Sequence, residues 1–198
     1  RNAPTAAYAA YSPIMHYNKI DKLVVGGVFW DGRATGWTLD DPLAEQALGP
    51  FLNSVEMQMP SKTVVVNESG VCSDPDLQAA LELIPNCTDV CGKTIDDIYD
   101  CIGKAIAAYE ASNGSDPTVI DPVNKFISNF DEDTLTQQQQ NGMELFIDPL
   151  KGNCAACHLT DPDPTALDSN GVARAVFTDF TYDNLGIPIN PNIALIAG

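Results

Sequence analysis

Two cysteines and a histidine stand together in the segment Cys154-Ala155-Ala156-Cys157-His158. Two thiols with a two-residue spacer can add across the two vinyl groups of a porphyrin, and the next histidine can offer an imidazole nitrogen to the iron. The pattern predicts one covalent haem c, attached to Cys154 and Cys157, with His158 as the proximal iron ligand. A thioredoxin-like redox pair would follow a βαβ pattern, and a zinc site would need a second pair of ligands. The sequence shows neither around this motif.

The sixth ligand of such an iron is not fixed by the motif. A methionine sulfur raises the reduction potential of a haem, and a second histidine lowers it. His16 is the only other histidine of the chain and is a candidate, although a single histidine has many other uses. The methionine candidates are Met15, Met57, Met59 and Met143, the last at a predicted core position of the helix before the motif.

Four further cysteines fall within one short segment, at Cys72, Cys87, Cys91 and Cys101. An even, clustered set predicts two disulfides and an oxidising compartment, and haem c attachment points to the same periplasmic or extracellular location. Four cysteines allow three pairings, and the sequence does not choose among them. A zinc site of four thiolates is the alternative, but no matching second pair of ligands follows.

The charge of the chain excludes several classes of partner. Of 198 residues, 27 are acidic and 10 are basic, which gives a formal net charge of -17. A surface this acidic argues against nucleic acid and anionic membranes, because both need basic patches. It suits a secreted protein or one that docks a basic partner. No stretch of the sequence is apolar and long enough to cross a bilayer.

The N-terminal part of the sequence is loop-rich. Residues 1–60 are punctuated by proline and glycine, and one short helix is expected over residues 39–48. Asp40 or Asp41 would cap this helix, with Pro42 in its first turn. A stretch with so little regular structure must be held by other parts, and packing against a cofactor or another domain is the usual answer.

The middle of the chain is predicted to be helical. Asp74 followed by Pro75 is typical of a cap and a first-turn proline, and Thr94 with Asp97 resembles a capping box. Apolar residues at three- and four-residue steps follow each of these signals. Residues 113–122 are rich in Gly, Ser, Asp and Pro and are predicted to form a linker.

A linker at this position predicts that the chain consists of two domains. Residues 1–122 form a loop-rich, helical and disulfide-bearing part, and residues 123–198 form a haem domain. In the second part, Thr136 and Gln139 make a capping box for a helix that runs into the haem motif. Small cytochrome c domains begin in this way. The expected fold class is mainly α, with a cytochrome c-like helical haem domain packed against a loop-rich helical segment.

Several short motifs follow one another in order along nearly the whole chain. They are Arg1-Asn-Ala-Pro-Thr5, Gly27-Val-Phe-Trp-Asp-Gly-Arg-Ala34, Gln46-Ala-Leu-Gly-Pro50, Asn53-Ser-Val-Glu-Met57, Ala105-Ile-Ala-Ala-Tyr-Glu110, Gly142-x-x-Leu-Phe146, the haem motif, Phe177-Thr-Asp179 and Asn184-Leu-Gly186. Together they resemble bacterial di-haem cytochrome c peroxidases and their MauG-like relatives. The combination is far more specific than any one of these motifs.

The sequence also departs from the pattern of that family. Members carry a first haem motif upstream of the segment that here begins at Arg1, so the peroxidatic haem and its histidines are not in this sequence. Members also continue beyond the Asn184-Leu-Gly186 segment, into a region that supplies the sixth ligand of the second haem. The resemblance therefore implies an interior segment that contains the second haem motif, with a haem domain incomplete at its C-terminus.

The resemblance implies roles for individual residues. The haem on His158 corresponds to the second, electron-receiving and high-potential haem of the family. Trp30 corresponds to the tryptophan placed between the two haems, which helps electrons to cross. Glu56 corresponds to the acid near the peroxide site, where it can shuttle a proton, and Gln46 to its polar neighbour. From spacing alone, Trp30 is more typical of an aromatic core residue, and Glu56 of a surface or capping residue.

The implied function is that of a periplasmic or extracellular haem protein. It would accept electrons from a small cytochrome or cupredoxin and pass them toward the reduction of hydrogen peroxide. One alternative is a mono-haem electron-transfer or assembly subunit without peroxidase activity, and another is a structural haem protein. Calcium, which binds between the haem domains of some relatives, and a homo-oligomer are further expectations.

Overall fold

The computed structural model describes residues 9–111, 135–161, 163–167, 173–183 and 186. Five α-helices, three short 3-10 helices and two short antiparallel strand pairs form the regular structure of these residues. The fold is therefore mainly α, as predicted. The expected linker at 113–122, and with it the boundary between the two predicted domains, lies outside the described residues and stays a prediction.

A small hairpin stands near the start of the described chain. Strand β1 (His16–Asn18) pairs with β2 (Leu23–Val25), a pairing that the sequence did not predict. The side chain of Asn18 organises the turn, because its Oδ1 accepts hydrogen bonds from the backbone N–H groups of Ile20 and Asp21. Asparagine is common in turns for this reason.

The loop after this hairpin is held by one carboxylate. Glu45 accepts hydrogen bonds from the backbone N–H groups of Gly36 at 2.8 Å and Thr38 at 2.6 Å, and from Leu39 at 3.2 Å. Buried or half-buried backbone groups need such partners when no helix or sheet supplies them. Part of the loop-rich segment is therefore stabilised by a side chain of the neighbouring helix.

That helix, α1 (Pro42–Leu52), begins close to its predicted start and runs beyond its predicted end. Asp41 caps it through hydrogen bonds from the backbone N–H groups of Leu43 and Ala44, and Pro42 fills the first turn. Proline fits there because the first N–H groups of a helix have no intrahelical partner.

Three helices follow: α2 (Lys62–Ser69), α3 (Pro75–Glu82) and α4 (Ile95–Ala111). Asp74 caps α3, and Thr94 and Asp97 exchange hydrogen bonds at the start of α4, as the sequence predicted. Helix α2 was not predicted. It contains three consecutive valines, a poor local signal for a helix, and it is stabilised by burial of two of them.

Helices α1 and α4 cross at a glycine. A Cβ atom at Gly103 would lie 2.7 Å from Cγ of Leu48 and 2.8 Å from the carbonyl oxygen of Ala44, so only glycine permits this approach. The hydroxyl of Tyr99 donates a hydrogen bond of 2.8 Å to the carbonyl of Leu48. The crossing therefore fixes the loop-rich segment on the helical one.

A core cluster lies between α2, α4 and the segment that joins them. The clustered cysteines form two disulfides, as expected, with Cys72 joined to Cys91 and Cys87 joined to Cys101. The second disulfide lies inside the core, where the buried members are Val65, Val66, Val71, Cys87, Val90, Ile98, Tyr99, Cys101 and Ile102. The four thiolates of a zinc site are thus not present.

The last part of the described chain carries the haem motif. Helix α5 (Gln137–Ile147) leads into a 3-10 helix at Cys154–Ala156. Strands β3 (Asp163–Leu167) and β4 (Ala173–Arg174) pair beyond it. None of the helices in the described parts of the chain is long and apolar enough to cross a membrane.

Candidate functional site

A tight turn after α5 places the haem motif. Thr136 and Gln139 form the predicted capping box at the start of the helix. At its end, the backbone N–H of Gly152 donates a hydrogen bond to the carbonyl of Leu145. A Cβ atom at Gly152 would overlap that carbonyl, so glycine is required where the chain folds back on α5. The turn delivers Asn153, in the left-handed region at φ 49°, directly to the motif.

The motif itself forms one short helical turn. The backbone N–H groups of Cys157 and His158 both donate to the carbonyl of Cys154, at 3.3 Å and 2.9 Å. The thiols of Cys154 and Cys157 are exposed and are not in disulfides. Both sulfurs are therefore accessible for covalent attachment, and the attachment itself stays a prediction.

The imidazole of His158 is oriented by a backbone carbonyl. Its Nδ1 lies 2.9 Å from the carbonyl oxygen of Phe177. Because a carbonyl can only accept, this hydrogen bond requires the proton on Nδ1 and leaves the lone pair on Nε2. Metal-binding histidines are commonly fixed in this way by a partner on the other ring nitrogen.

An apolar cavity of about 330 Å³ lies beside the motif. Its lining residues are Leu135, Gln139, Gly142, Met143, Phe146, Thr160 and Phe177. The ring of Phe146 lies 6.3 Å from that of His158 and 6.1 Å from that of Phe177, measured between centroids. Two accessible thiols, an oriented imidazole and an apolar cradle are the features that a covalent haem needs, so the residues present fit this group.

Residues 177–182, which we name the linking segment, join the motif to the N-terminal loops. The carbonyl of Phe180 accepts a hydrogen bond of 2.9 Å from the backbone N–H of Gly26, and Thr181 forms a bridge with Val25. The hydroxyl of Tyr182 donates to the carbonyl of Gly26 at 3.0 Å. The segment that begins at the histidine partner thus ends against the hairpin.

Trp30 lies in the next loop, residues 28–34, which we name the Trp30 loop. The loop is closed by a bridge between Val28 and Ala34. The guanidinium of Arg33 packs 3.9 Å from the ring centroid of Phe29 and pairs with Asp31 at 2.7 Å. The indole itself is 85% exposed, so Trp30 is not the aromatic core residue that its spacing suggested.

Arg33 also affects the ionisation of its acidic partner. Burial of Asp31 acts to raise the pKa of its carboxyl, but hydrogen bonds from Arg33 and the charge of its guanidinium outweigh this and hold the pKa below its ordinary value. Asp31 therefore stays ionised, and the ion pair helps to keep the loop in one conformation.

Gln46 and Glu56 lie on α1 and on the turn that follows it. Gln46 is half-buried, and Glu56 is exposed. The turn is compact, because the carbonyl of Asn53 accepts from the backbone N–H groups of Glu56 and Gln58. The structure thus places both residues on one helix-turn unit, and their proposed roles stay predictions.

The candidate sixth ligands are spread over the molecule. Met143 lines the cavity beside the motif, whereas Met59 packs against the core cluster. Met15 has its methyl group against Gly27 and Gly32, and Met57 is exposed. His16 is exposed on β1, with Nδ1 2.9 Å from the carbonyl oxygen of Ile14. A role of His16 as an iron ligand stays a prediction.

One further group of ligand-type atoms lies at the motif. Sγ of Cys157 and carboxylate oxygens of Asp179 and Asp183 all lie within 4.8 Å of one another. Calcium prefers oxygen ligands, and a cysteine in a thioether bond is a poor ligand for it. This trio is therefore not a calcium site, and the calcium site implied by the resemblance stays a prediction.

Two elements of the site had no signal in the sequence. The carbonyl of Phe177 is a backbone group, which every residue type offers. Phe177 and Phe180 both have φ in the left-handed region, at 53° and 56°, where bulky residues are rare. Tyr182 lies between two of the family motifs, and only the structure shows its contact with Gly26.

The family to which this chain belongs is shown by its sequence. A sequence model described as di-haem cytochrome c peroxidase matches residues 1–140. The chain therefore belongs to the di-haem cytochrome c peroxidase family. Members of this family carry haem c, in agreement with the fit of residues 154–158 to that cofactor.

Individual relatives agree with this assignment. The chain is 34% identical over 200 residues to methylamine utilization protein MauG of Paracoccus denitrificans, covering 96% of this chain and 43% of that protein. It is 29% identical over 217 residues to cytochrome c551 peroxidase of Pseudomonas aeruginosa, covering 100% of this chain and 52% of that protein. The chain thus spans about half the length of the curated relatives it matches.

A solved structure has the same fold. A variant of the diheme peroxidase BthA from Burkholderia thailandensis matches with a TM-score of 0.68 at 31% identity, over 96% of this chain and 42% of that chain. The similarity covers both the disulfide-bearing and the haem-motif parts of the described chain.

Proposed function

We propose that this chain holds a c-type haem on Cys154, Cys157 and His158 and serves to carry electrons from a redox partner protein, by way of Trp30, toward a second haem where hydrogen peroxide is reduced. The observation that best supports this proposal is the hydrogen bond from Nδ1 of His158 to the carbonyl of Phe177. It presents the imidazole as an iron ligand beside an apolar cavity. When bound, the haem supplies a one-electron redox centre.

The residues of the motif would fix that centre in place. Cys154 and Cys157 would each form a thioether bond to the haem from one helical turn and so would hold it covalently in place. The carbonyl of Phe177 increases the electron density of the imidazole through its hydrogen bond. Phe146 and Met143 cover apolar surface and exclude water, which favours a higher reduction potential.

A bonded route supports the role of Trp30. It runs from His158 to the carbonyl of Phe177, along the linking segment to Phe180, and across a hydrogen bond to Gly26. Gly26 lies four residues before Trp30 in the chain. An exposed indole at this position suits contact with a second redox centre, which supports the role that the resemblance implies.

Glu56 and Gln46 would serve the second centre. Reduction of hydrogen peroxide to two waters consumes two electrons and two protons, so a group that delivers a proton to the leaving oxygen accelerates it. Glu56 has an exposed carboxyl on a compact turn, and Gln46 lies on the helix before it. We assign proton delivery to Glu56 and orientation of the peroxide to Gln46.

The charge and the disulfides support the remaining parts of the proposal. A net charge of -17 suits a donor protein with a basic face, and the relative from Pseudomonas aeruginosa is named for a cytochrome c551. A small cytochrome or a cupredoxin is therefore the proposed donor. Two disulfides fit an oxidising compartment, the periplasm or the cell exterior. Calcium binding and a homo-oligomer stay predictions.

The test compares three variants of the natively purified, haem-loaded protein. Glu56→Gln should lower the rate of peroxide turnover by about 100-fold or more, the usual contribution of a general acid. Trp30→Phe should slow electron delivery without loss of covalent haem. Trp37→Phe is the matched control, because Trp37 is also exposed and lies seven residues further along the same loop-rich segment.

The same experiment separates this proposal from its alternative. Equal peroxide turnover by the parent protein and Glu56→Gln would overturn the role of Glu56. A parent protein with covalent haem, six-coordinate iron and no peroxide turnover would support the mono-haem electron-transfer subunit instead. Equal effects of the two tryptophan variants would overturn the role of Trp30.

A further inference from the structure

The linking segment is held in an unusual backbone conformation. Phe177 and Phe180 have φ of 53° and 56°, a region that large side chains rarely adopt. Such a conformation persists only where the surroundings fix it. At its first residue, the carbonyl of Phe177 accepts the hydrogen bond from His158, so the segment is anchored at the haem motif.

Tyr182 anchors the other end of this segment. Its hydroxyl donates a hydrogen bond of 3.0 Å to the carbonyl of Gly26. The backbone N–H of Gly26 in turn donates a hydrogen bond of 2.9 Å to the carbonyl of Phe180. A Cβ atom at Gly32 would lie 2.8 Å from Oη of Tyr182 and would overlap Cε of Met15. The phenol ring therefore lies directly against the Trp30 loop and meets backbone on both sides of it.

Trp30 depends on such contacts for its position. Its indole is 85% exposed, so its own packing fixes it only weakly. The placement of the indole follows from the backbone of its loop, which Gly26 precedes and which contains Gly32. Because Tyr182 contacts both of these glycines, this side chain of the linking segment joins the interior of the loop to the backbone that precedes it.

We infer that Tyr182 is a positioning residue, which holds the Trp30 loop at a fixed distance from the haem on His158 and so sets the rate at which electrons leave that haem. This inference rests on the function proposed above. Tyr182 acts through Trp30 and touches neither the iron nor peroxide. Desolvation, with a smaller contribution from the charge of Asp31, raises the pKa of Tyr182, so the phenol stays protonated and can donate.

Tryptophan fluorescence of the haem-loaded protein tests this inference. The 198 residues contain two tryptophans, so Trp37→Phe leaves Trp30 as the only one among them. Subtraction of the signal of the Trp30→Phe and Trp37→Phe double variant isolates the emission of Trp30. Haem quenches tryptophan emission by energy transfer in a distance-dependent manner, so the lifetime reports how far Trp30 lies from the haem.

Tyr182→Phe is then added to the Trp37→Phe variant. Loss of one hydrogen bond should increase the population with a displaced Trp30 loop, and with it the long-lifetime amplitude, roughly two- to tenfold. Electron transfer should slow while the covalent haem content and the midpoint potential stay unchanged. Tyr17→Phe is the matched control, because it removes a hydroxyl from an exposed tyrosine of β1.

Each outcome decides one question. Unquenched emission of Trp30 in the Trp37→Phe variant would overturn the proposed function, because Trp30 would then lie far from the haem. Quenched emission that Tyr182→Phe and Tyr17→Phe leave equally unchanged would overturn only the role of Tyr182. A shifted midpoint potential or a loss of covalent haem in Tyr182→Phe would also overturn it, because the residue would then serve the haem site as a whole.

Discussion

Two regions of the molecule bury apolar surface in different ways. The disulfide-bearing region comprises residues 61–111, and the haem-motif region comprises the described residues between 135 and 183. The first packs α2 and α4 around a core that includes the Cys87–Cys101 disulfide. In the second, none of the residues of α5 is buried, and Ala175 and Val176 are the buried apolar residues among those described. Leu135, Met143, Phe146 and Phe177 line a cavity beside the haem motif.

This difference shows where each region takes its stability from. The side chains of the disulfide-bearing region meet one another, so its fold follows from its own packing and cross-links. Several apolar side chains of the haem-motif region line a cavity instead of meeting one another, so we expect its fold to depend on the proposed haem. A site that completes its core with a cofactor couples binding to folding.

The largest expected effect comes from removing the attachment residues. Cys154→Ala with Cys157→Ala should abolish covalent haem and remove the exchange protection of the α5 amides, while the α4 amides keep theirs. A haem stain on a denaturing gel and amide hydrogen exchange measure the two results. The reciprocal control, Cys72→Ala with Cys91→Ala, should keep the haem and cost about 3 kcal/mol of stability. Full protection of α5 without haem would contradict the comparison.

Smaller effects are expected from two single substitutions that distinguish core packing from contact with the cofactor. Ile98→Ala, at a buried position of α4, should cost about 2–5 kcal/mol in the free energy of unfolding and leave the haem absorption spectrum unchanged.

Phe146→Ala removes a ring that lies beside His158 and Phe177. It should admit water and lower the midpoint potential, because water stabilises the more highly charged ferric state.

The matched control for Phe146 is its neighbour Leu145, which is half-exposed on the same helix. Leu145→Ala should leave the midpoint potential unchanged. A potential that falls equally in both variants would contradict the assignment of the cavity to the haem, and a spectral change in Ile98→Ala would contradict the independence of the two regions.

Local signals in the sequence predicted most of the helix starts. Asp41 with Pro42, Asp74 with Pro75, and the Thr136 capping box act within one turn, so a short stretch of sequence is sufficient to identify them. Helix α2 was missed because its stability comes from tertiary burial of valines that are poor helix formers locally.

The residues of the candidate site also fall into two groups, those with a local signal in the sequence and those that depend on tertiary structure. Covalent attachment of a haem requires particular residue types at a fixed spacing, so the sequence alone predicts Cys154, Cys157 and His158. The carbonyl of Phe177 and the contact of Tyr182 with Gly26 depend on backbone geometry far along the chain, which no residue type signals. The roles of Glu56 and Gln46 need a second redox centre, so neither local pattern nor local structure determines them.

The smallest expected effect concerns charge in the disulfide-bearing region. Desolvation on α4 raises the pKa of Asp100, and the charges of Asp96 and Asp97 add to this while Lys62 and Lys104 oppose it. The folded state therefore binds a proton at Asp100 more tightly than the unfolded state does. Its contribution to stability is present below the unfolded pKa and is lost as the pH rises through the folded pKa.

The substitution Asp100→Asn should remove the loss of stability that ionisation of Asp100 causes. At neutral pH the variant should be more stable than the parent by a few tenths of a kcal/mol, because solvent partly screens this half-buried group, and the difference should shrink as the pH falls through the acidic range. Urea unfolding followed by amide exchange of α4 measures it. Asp96→Asn is the control on the same helix, and it should give no gain, because it breaks the 2.6 Å ion pair with Lys62. A gain in both variants would mean that general repulsion on this acidic surface, rather than desolvation at Asp100, limits the stability of the region.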